Sequence, residues 1–489
     1  MRKQESSTRF LACAALALLH GLAGCQTTLP VPDRSTVGTH LVQRVGHTVP
    51  CETVPGQFTL PPGASMEDGI TEDEAIAIAL WNNASFQELL ADLGMARGDL
   101  IQAGLLPNPE FAYFFPVPDK PFKYAFDFPL EALWLRPIKL KSASREADRT
   151  VDRLTQAGLD LMRDVRQAYA DVVLAQERAR VAGEAVKLRG RIADLAEKRL
   201  KAGDISPQEA ATARIDALQA EQDAARITYD ITIAEERLRN LLGLGAYRRS
   251  LTLDPSPLPP QLVLDVDGLT QEALAHRPDA LAAVAAVAAA EARLKFAKLG
   301  WVRLLGIGDA TSGRATGHEF GPALRFTVPL FNRNQGGIAR AEAELERAVR
   351  NQQTVAHQIL LDVHRAHLQY QQTCAELDVL QNKVRPEVET AIRRAQAAYQ
   401  EGNATIFIVL ETTRQLLDNY LREAVLHAEL RRIWAELERS VGQRLTPPAP
   451  ALQSPPAVTD SAFAMPLRSG SALDSGDHCP AHADERKRK

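Results

Sequence analysis

Apolar residues recur along the chain with two different periods, and each period appears twice. In the stretches 122–130 and 320–328 every second side chain is apolar or aromatic, with polar or small side chains between them. In 151–200 and 349–398 an uncharged side chain returns every seven residues. A period of two predicts β-strands, and a period of seven predicts long helices that pack along one seam. The chain therefore combines short strands with very long helices, and it does so twice.

The period of seven predicts two long helices, at about 130–200 and 333–400. The seam positions are Val151, Gly158, Val165, Val172, Ala179, Val186, Ala193 and Leu200 in the first, and Val349, Ala356, Val363, Tyr370, Leu377, Val384, Ala391 and Ala398 in the second. At 1.5 Å per residue each helix would be about 100 Å long, far longer than a compact domain needs. We expect Pro386 to bend the second helix, because proline removes one backbone hydrogen bond.

Matching segments lie about 200 residues apart, which indicates a duplicated unit. Each unit is predicted to contain a short helix, strands, a long helix that ends at a tip glycine, and a returning helix. The short helices are predicted at about 72–104 and 270–299, the tip glycines are Gly203 and Gly402, and the returning helices are predicted at about 207–242 and 405–441. The predicted domains are a first repeat at 69–247 with strands at about 109–129, an equatorial linker at 248–267, and a second repeat at 268–445 with strands at about 302–329.

The N-terminal residues predict export and lipidation. A short basic segment precedes an apolar run that is too short to span a membrane, so residues 1–24 are interpreted as a signal peptide. The following sequence, LAGC at 22–25, resembles a bacterial lipobox. That resemblance implies cleavage before Cys25, lipidation of its thiol and, because Gln26 follows, placement at the outer membrane.

Two flanking segments show neither period. Residues 25–68 are rich in Pro, Gly and Thr and are predicted to form an extended lipidated tether. Residues 446–489 are predicted to be a disordered tail. The tail contains His478, Cys479 and His482, which we interpret as solvated side chains rather than metal ligands.

Composition and motifs exclude several classes of function. A formal net charge of -4, with charges of both signs interspersed, offers no basic surface for nucleic acid. The chain contains no GxxxxGK[ST] phosphate loop and no HExxH metal motif, so we expect neither an enzyme nor a bound cofactor or metal. His364 and His367 lie one helical turn apart, but a packing or solvated role is the preferred interpretation of this pair.

The predicted strands fit either of two structures. Alternating aromatic and polar faces suit a half-buried soluble sheet as well as a membrane barrel whose outer face meets lipid. One chain supplies about four strands, too few to close a barrel, and unpaired sheet edges are not tolerated in lipid. The economical fold is therefore mainly α with a membrane β-barrel portion. In this fold each chain contains two tandem repeats of long α-helical hairpins and β-hairpins. Three chains form a trimer with about twelve strands in its barrel and about twelve helices in a periplasmic tunnel.

The residues from Thr71 to Gly442 resemble the outer-membrane efflux protein family, which is TolC-like. The resemblance is carried by DLIQAGLLPNPEF at 99–111, by VPLFNRNQGGIARAEAEL at 328–345 and by the two tip segments. Within the family, PLFNRNQG is similar to members that serve heavy-metal resistance. The resemblance implies a homotrimeric exit duct in outer-membrane lipid that works with a periplasmic adaptor and an inner-membrane transporter. We expect a proton-driven transporter, and the residues leave an ATP-driven one open.

The resemblance also implies roles for individual residues. The predicted adaptor-docking tips are Gly203, Asp204, Gly402 and Asn403, and the predicted residues of the narrow periplasmic aperture are Glu209, Ile408 and Glu411. Family members place acidic side chains at the aperture, so Ile408 is a departure from the pattern. An acidic ring of Glu411 would favour cations. The alternative, an ordinary surface glutamate, is equally compatible with the sequence.

A second function from a different class also fits the pattern. A periplasmic coiled-coil structural lipoprotein or adaptor with a soluble sheet would need the same helices and the same anchor. The two functions differ in whether the strands enter the membrane. For either function the residues specify no cargo, so a metal ion, a drug or another compound remains open.

Overall fold

The computed structural model describes residues 31–115, 122–245, 251–254, 257–302, 304–313 and 317–445. These residues form two compact units. One unit contains Ala91–Arg153 and Asp279–Val355, and the other contains Arg34–Leu90, Leu154–Pro278 and the chain from Ala356 onward. The first unit holds the strands with the helical segments next to them, and the second holds the rest of the helical residues.

The described secondary structure is mostly helical. The helices are α1 (Arg34–Val45), α2 (Glu72–Asn82), α3 (Ala84–Leu90), α4 (Asp92–Gly104), α5 (Ala132–Ala202), α6 (Pro207–Leu241), α7 (Val266–His276), α8 (Pro278–Leu299), α9 (Gln335–Val379), α10 (Arg385–Gln400) and α11 (Ile406–Val441). The strands are β1 (Glu110–Phe114), β2 (Phe122–Pro129), β3 (Leu304–Gly313) and β4 (Gly317–Phe326). Within the part of the chain described here, no helix is both long enough and apolar enough to cross a membrane.

Both long helices are present, but they differ in continuity. Helix α5 runs without interruption for 71 residues. The second long helix consists of α9 and α10, which are joined by a single π-helical segment, Leu380–Val384. Pro386 is the second residue after that segment. A π turn widens the helix, and here it relieves the crowding that a proline ring causes in α geometry.

The buried seam of the second long helix departs from the predicted one after the π turn. Val384 is 40% exposed and Ala391 is also exposed, whereas Ile392 and Tyr399 are buried. The wider turn takes up one extra residue, and one residue corresponds to a rotation of about 100°. The prediction of one unbroken heptad ladder through Ala398 is therefore wrong, because the seam continues one residue later in α10.

The predicted short helices are each broken where a local residue favours a new helix start. Between α2 and α3, the Asn83 side chain donates to the carbonyl of Leu241 at 2.9 Å and accepts from the Phe86 N–H at 2.9 Å. Between α7 and α8, Arg277 has an extended backbone, as expected for the residue before a proline, and α8 begins at Pro278. These breaks replace the single helices predicted at 72–104 and 270–299.

The segment predicted as an extended tether contains a packed helix. In α1, Val37 and Leu41 are fully buried. Leu41 contacts Gly158 on α5, where an added Cβ would lie 3.0 Å from Leu41 Cδ1. Gly158 therefore leaves a notch that the leucine fills. The extended conformation expected for residues 34–45 is wrong, because side chains four residues apart give α1 an apolar face.

The strands form one antiparallel sheet in the order β1-β2-β3-β4. Phe111 pairs with Phe126, and Tyr113 pairs with Tyr124, so aromatic side chains are neighbours on one face. Strands β1 and β4 are the two edges of this sheet. The strand positions agree with the alternating pattern of the sequence.

Two tyrosines, one on each long helix, anchor irregular chain segments. The Tyr169 hydroxyl on α5 lies 2.9 Å from the carbonyl oxygen of Ile70 and 2.8 Å from that of Asp254, so its proton is shared between two acceptors. The Tyr370 hydroxyl on α9 donates to the Pro260 carbonyl at 2.8 Å and accepts from the Leu262 N–H at 2.8 Å. Burial raises the pKa of both tyrosines. Each long helix thus holds part of the linker region.

A buried ionic cluster ties α2, α5 and α11 together. Arg166 on α5 forms ion pairs with Glu438 on α11 and, at 2.9 Å, with Glu72 on α2. Burial raises the pKa of Glu72, although the neighbouring Arg166 and Arg431 lower it. Removal of Arg166 would take this ion pair from the buried Glu438, and breaking a buried pair on one side typically costs about 3–5 kcal/mol.

Candidate functional site

The first tip, defined here as residues 199–209, is a tight turn built on a glycine. Helix α5 ends at Ala202, and Gly203 follows with a φ of +83°. The Gly203 N–H donates to the Leu200 carbonyl at 3.0 Å, and the Asp204 N–H donates to the Arg199 carbonyl at 2.9 Å. This is the Schellman arrangement, which satisfies the last carbonyls of a helix and requires a left-handed residue. The predicted position of the turn is confirmed.

The second tip, residues 398–408, has the same backbone geometry. Gly402 has a φ of +80°, and the Asn403 N–H donates to the Ala398 carbonyl at 2.8 Å. An added Cβ at Gly203 or Gly402 would meet no atom within 4 Å. Both glycines are therefore required by backbone conformation and not by lack of space.

The helices that return from the two tips begin differently. Ser206 caps α6 with its hydroxyl, which accepts from the Glu209 N–H at 3.2 Å, while the Glu209 carboxylate accepts from the Ser206 N–H at 3.0 Å. This reciprocal pair is a capping box. Thr405 stands at the start of α11 with no side-chain capping bond, and Ile408 occupies the place that Glu209 has in α6. The Glu209 carboxylate thus caps the N-terminus of α6. Its role at the aperture stays a prediction.

The first turns of α11 present apolar and charged side chains to solvent. Phe407 and Ile408 are 51% and 49% exposed. Glu411 accepts from Gln415 Nε2 at 3.1 Å and lies 3.7 Å from Arg414 Nε. The charge of Glu411 is therefore partly balanced by a neighbour one turn away. Ile408 and Glu411 are three residues apart on α11 and therefore lie on the same side of this helix.

Side chains from both hairpins meet in one apolar cluster near the tips. Its buried members are Ile192, Ala196, Ala213, Tyr399, Ile406 and Val409. Arg199 of α5 also reaches this cluster, because its Nη2 donates to the Tyr399 carbonyl at 2.8 Å and its Cζ lies 4.2 Å from the centre of the Tyr399 ring. Sequence reasoning missed this contact. The available signal was a basic residue in the last turn of one long helix and a tyrosine in the last turn of the other.

The remaining predicted site residues lie elsewhere. Cys25 and the tail residues 478–482 are outside the described residues. His364 is exposed on α9, whereas His367 is buried. Among the described residues, no group of three or more His, Cys, Asp or Glu side chains is placed to hold a metal ion.

Comparison with known proteins identifies the family. The model of the outer membrane efflux protein family matches residues 133–244 and 269–443, which together make up more than half of the chain. The chain belongs to the outer membrane efflux protein family. The first matched segment covers nearly all of α5 and all of α6, and the second runs from α7 to α11.

Individual relatives agree with this assignment. The cobalt-zinc-cadmium resistance protein CzcC of Cupriavidus metallidurans is 24% identical over 372 residues, covering 72% of this chain and 85% of the relative. The cation efflux system protein CusC of Escherichia coli is 26% identical over 286 residues, covering 56% of this chain and 61% of the relative. The outer membrane protein VceC of Vibrio cholerae has the same fold, with a TM-score of 0.64, 19% identity and coverage of 77% of this chain and 97% of VceC.

The family assignment confirms the function predicted from the sequence, an outer-membrane exit duct for efflux. Members of this family are channels and not enzymes. The tip turns and the helices that carry them fall inside the matched segments, so they belong to the part of the chain that the family shares.

Proposed function

We propose that three copies of this efflux protein assemble into one duct, with a barrel of twelve strands in the outer membrane and a tunnel of twelve helices in the periplasm. The observation that supports this proposal best is the open four-stranded sheet with edges at β1 and β4. An isolated sheet with bare edges is a template for further pairing, and it is not stable in lipid. Pairing of β4 in one copy with β1 in the next removes every edge.

The two faces of the sheet support the same assembly. On one face the exposed side chains are apolar or aromatic, and they include Phe111, Tyr124, Phe126, Leu324 and Phe326. On the opposite face lie Glu110, Lys123, Asp127 and Arg325, together with the exposed Phe114 near the end of β1, and Arg325 Nη1 is 3.9 Å from Asp127 Oδ2. In a barrel, the aromatic face would meet lipid and the charged face would line a water-filled lumen.

We assign the tips to partner docking and the start of α11 to the periplasmic aperture. Gly203 and Asp204 at one tip, with Gly402 and Asn403 at the other, form two equal turns that end the helical hairpins. Such exposed turns suit contact with a periplasmic adaptor and, through it, with a proton-driven inner-membrane transporter. Ile408 and Glu411 from three copies would narrow the duct and favour cations.

Lipidation at Cys25 would add an anchor in the outer membrane to the barrel. For the cargo we propose metal cations, because CzcC and CusC are named for cobalt, zinc, cadmium or cation efflux. The duct itself performs no chemical step, so the driving force comes from the transporter.

Membrane extraction of a Cys25→Ser variant tests the barrel. If the strands span the membrane, the unlipidated protein remains in the outer membrane after an alkaline carbonate wash. Release into the soluble fraction would instead support a tethered coiled-coil lipoprotein. Palmitate labelling of the wild type and its loss in the variant verify that Cys25 carries the lipid.

Metal sensitivity tests the cargo. A strain without this gene is expected to be more sensitive to cobalt, zinc or cadmium, and the wild-type gene restores growth. Unchanged sensitivity to all three metals would contradict metal cations as the cargo while leaving the duct itself untouched.

A further inference from the structure

The side chain of Arg199, in the last turn of α5, bonds the end of the neighbouring hairpin's helix α10. Basic residues near a helix C-terminus usually interact with the carbonyls of their own helix. Arg199 Nη2 instead donates to the Tyr399 carbonyl at 2.8 Å and lies 3.4 Å from the Gln400 carbonyl. These carbonyls are the C-terminal end of α10, the negative end of its dipole.

The same guanidinium also stacks on an aromatic ring. Its Cζ lies 4.2 Å from the centre of the Tyr399 ring, and the ring is 3% exposed. The Tyr399 side chain is therefore held between the arginine and the apolar cluster of Ile192, Ala196 and Val409. A hydrogen bond from a charged donor and a cation–π contact act together on one residue, and both restrain the end of α10.

The backbone of Arg199 belongs to the first tip. Its carbonyl accepts from the Asp204 N–H at 2.9 Å, the bond that closes the Schellman turn. One residue thus takes part in the first turn through its backbone and holds the second through its side chain. The corresponding residue in the second repeat is Ala398, which has no side chain able to return the contact. The link between the tips therefore runs in one direction.

We propose that Arg199 is a positioning residue that fixes the second tip against the first, so that the two turns of one chain are presented to a partner as a single surface. The second tip needs such support, since α11 lacks a capping box and α10 follows a π turn. The consequence for adaptor binding rests on the proposed docking function, whereas the restraint on the distance between the tips does not.

A distance measurement tests the restraint. Spin labels are attached at Ala202→Cys and Glu401→Cys, the residues before the two glycines. The background carries serine in place of Cys51, Cys374 and Cys479, so that no other thiol of the mature chain is labelled. Labelled chains are diluted with unlabelled wild type so that most trimers carry one pair. Arg199→Met is expected to broaden the distance distribution, and Arg199→Lys, which keeps the charge without the planar group, is expected to broaden it less. An equal width in all three proteins would overturn the proposal.

Binding to the purified cognate adaptor provides the second readout. Arg199→Met is expected to raise the Kd by about tenfold, since the two turns no longer share one geometry. Arg214→Met is the matched control, because Arg214 is an exposed arginine on α6 that pairs with Glu197 at 2.8 Å. The melting temperature of the trimer is expected to stay unchanged in both variants. Failure of both Arg199→Met and Arg199→Lys to form trimers would contradict a purely positioning role.

A Gly402→Val variant separates this proposal from the docking proposal. If Gly402→Val leaves adaptor binding intact, the tips are not the docking site. If Gly402→Val weakens binding and Arg199→Met does not, docking stands and the role of Arg199 is wrong.

Discussion

The two repeats have the same tip turns but support them by different means. Gly203 and Gly402 have nearly equal backbone angles and close the same hydrogen-bonded motif. The first turn lies between an unbroken helix and a helix with a capping box. The second lies between a helix that follows a π turn and a helix without a side-chain cap. Both repeats therefore have the same turn geometry, whereas the helices that flank the turn differ between the two repeats.

This difference teaches that the second hairpin depends on its surroundings. Its seam is set by the π turn, and the end of α10 is held by Arg199 from the first repeat. The first hairpin has a continuous seam and its own cap. We therefore expect changes in the first repeat to act through local helix stability, and changes in the second to act through packing against its neighbours.

Deletion of one residue from each long helix should give the largest contrast. Gly183 in α5 corresponds to Asn382 in the π turn, and an added Cβ at Gly183 would meet no atom within 4 Å. Deletion of Gly183 would rotate Ile192 and Ala196 out of the core and lower the free energy of hairpin opening by about 4 kcal/mol. Deletion of Asn382 together with Pro386→Ala converts the π turn to α geometry and leaves the buried seam in place. We expect this double change to alter the free energy of hairpin opening by at most about 1 kcal/mol. Amide hydrogen exchange measures the free energy of opening in both variants. Equal reductions of this free energy would contradict the role of the π turn.

Valine substitution at the tip glycines should have equal effects in the two repeats. A β-branched residue in the left-handed region costs about 2 kcal/mol, and no neighbouring atom adds a clash at either site. Asparagine, which tolerates this region, is the control and should cost about half as much. Exchange of the Asp204 and Asn403 amides reports each turn. A much larger effect at one tip would show that the turns are not equivalent.

Removal of the two tyrosine hydroxyls should give a smaller difference in stability between the two repeats. Tyr169→Phe is expected to cost about 1.5 kcal/mol, because the carbonyl of the buried Ile70 loses one of its two donors and keeps only the Asp254 N–H at 3.1 Å. Tyr370→Phe is expected to cost about 1 kcal/mol, because Leu262 is exposed and water can replace the hydroxyl there. Unfolding of the detergent-extracted protein measures both costs, and the opposite order would contradict this assignment.

The same tyrosines predict a dependence on alkaline pH. Burial raises the pKa of Tyr169 in the folded protein above its ordinary value of 10.0. The stability that this residue contributes is therefore fully present below pH 10 and declines as the pH rises further. The stability difference between the wild type and Tyr169→Phe should shrink above that pH. A constant difference up to the alkaline limit of the measurement would argue against the buried hydroxyl.

Changes to the helix caps should have the smallest effects. Ser206→Ala removes a capping box and should destabilise the first turn of α6 by about 1 kcal/mol. Thr405→Ala should change α11 by less than about 0.5 kcal/mol, since Thr405 makes no side-chain capping bond. Ile408→Glu creates the Thr-x-x-Glu pattern and should stabilise α11 by about 0.5 kcal/mol. Amide hydrogen exchange in the first turns of α6 and α11 measures these differences. Equal costs for Ser206→Ala and Thr405→Ala would contradict the difference in capping between the two helices.

The sequence predicted the elements that depend on local chemistry. Gly203 and Gly402 mark both turns, because only a residue without a side chain adopts their backbone angles easily. The alternation of Tyr124 and Phe126 with small or charged residues predicted the strand that contains them. The seven-residue period predicted both long helices, although not the break in the second.

The break in the second long helix was missed because a heptad count assumes α geometry throughout. Pro386 indicated a bend but not an extra residue. A usable signal was present three residues after each seam position, where Ile359, Ala366 and Leu380 are buried. An uninterrupted heptad would continue this second row to the charged Glu387 and Arg394. Helix α1 was missed for a different reason, because its apolar residues lie in a segment dominated by Pro, Gly and Thr. The Arg199 contact joins residues 200 positions apart, and no local pattern reports such a distance.

The central claim is that this chain is one third of a closed duct, and the mass of the intact assembly tests it most directly. Native mass spectrometry of the full-length protein, extracted from outer membranes in mild detergent, should give three times the mass of the lipidated chain. A Leu324→Pro variant, which removes an N–H that β4 directs to its open edge, should shift this mass toward one chain. A wild-type protein that has the mass of a single chain at every concentration would contradict the account.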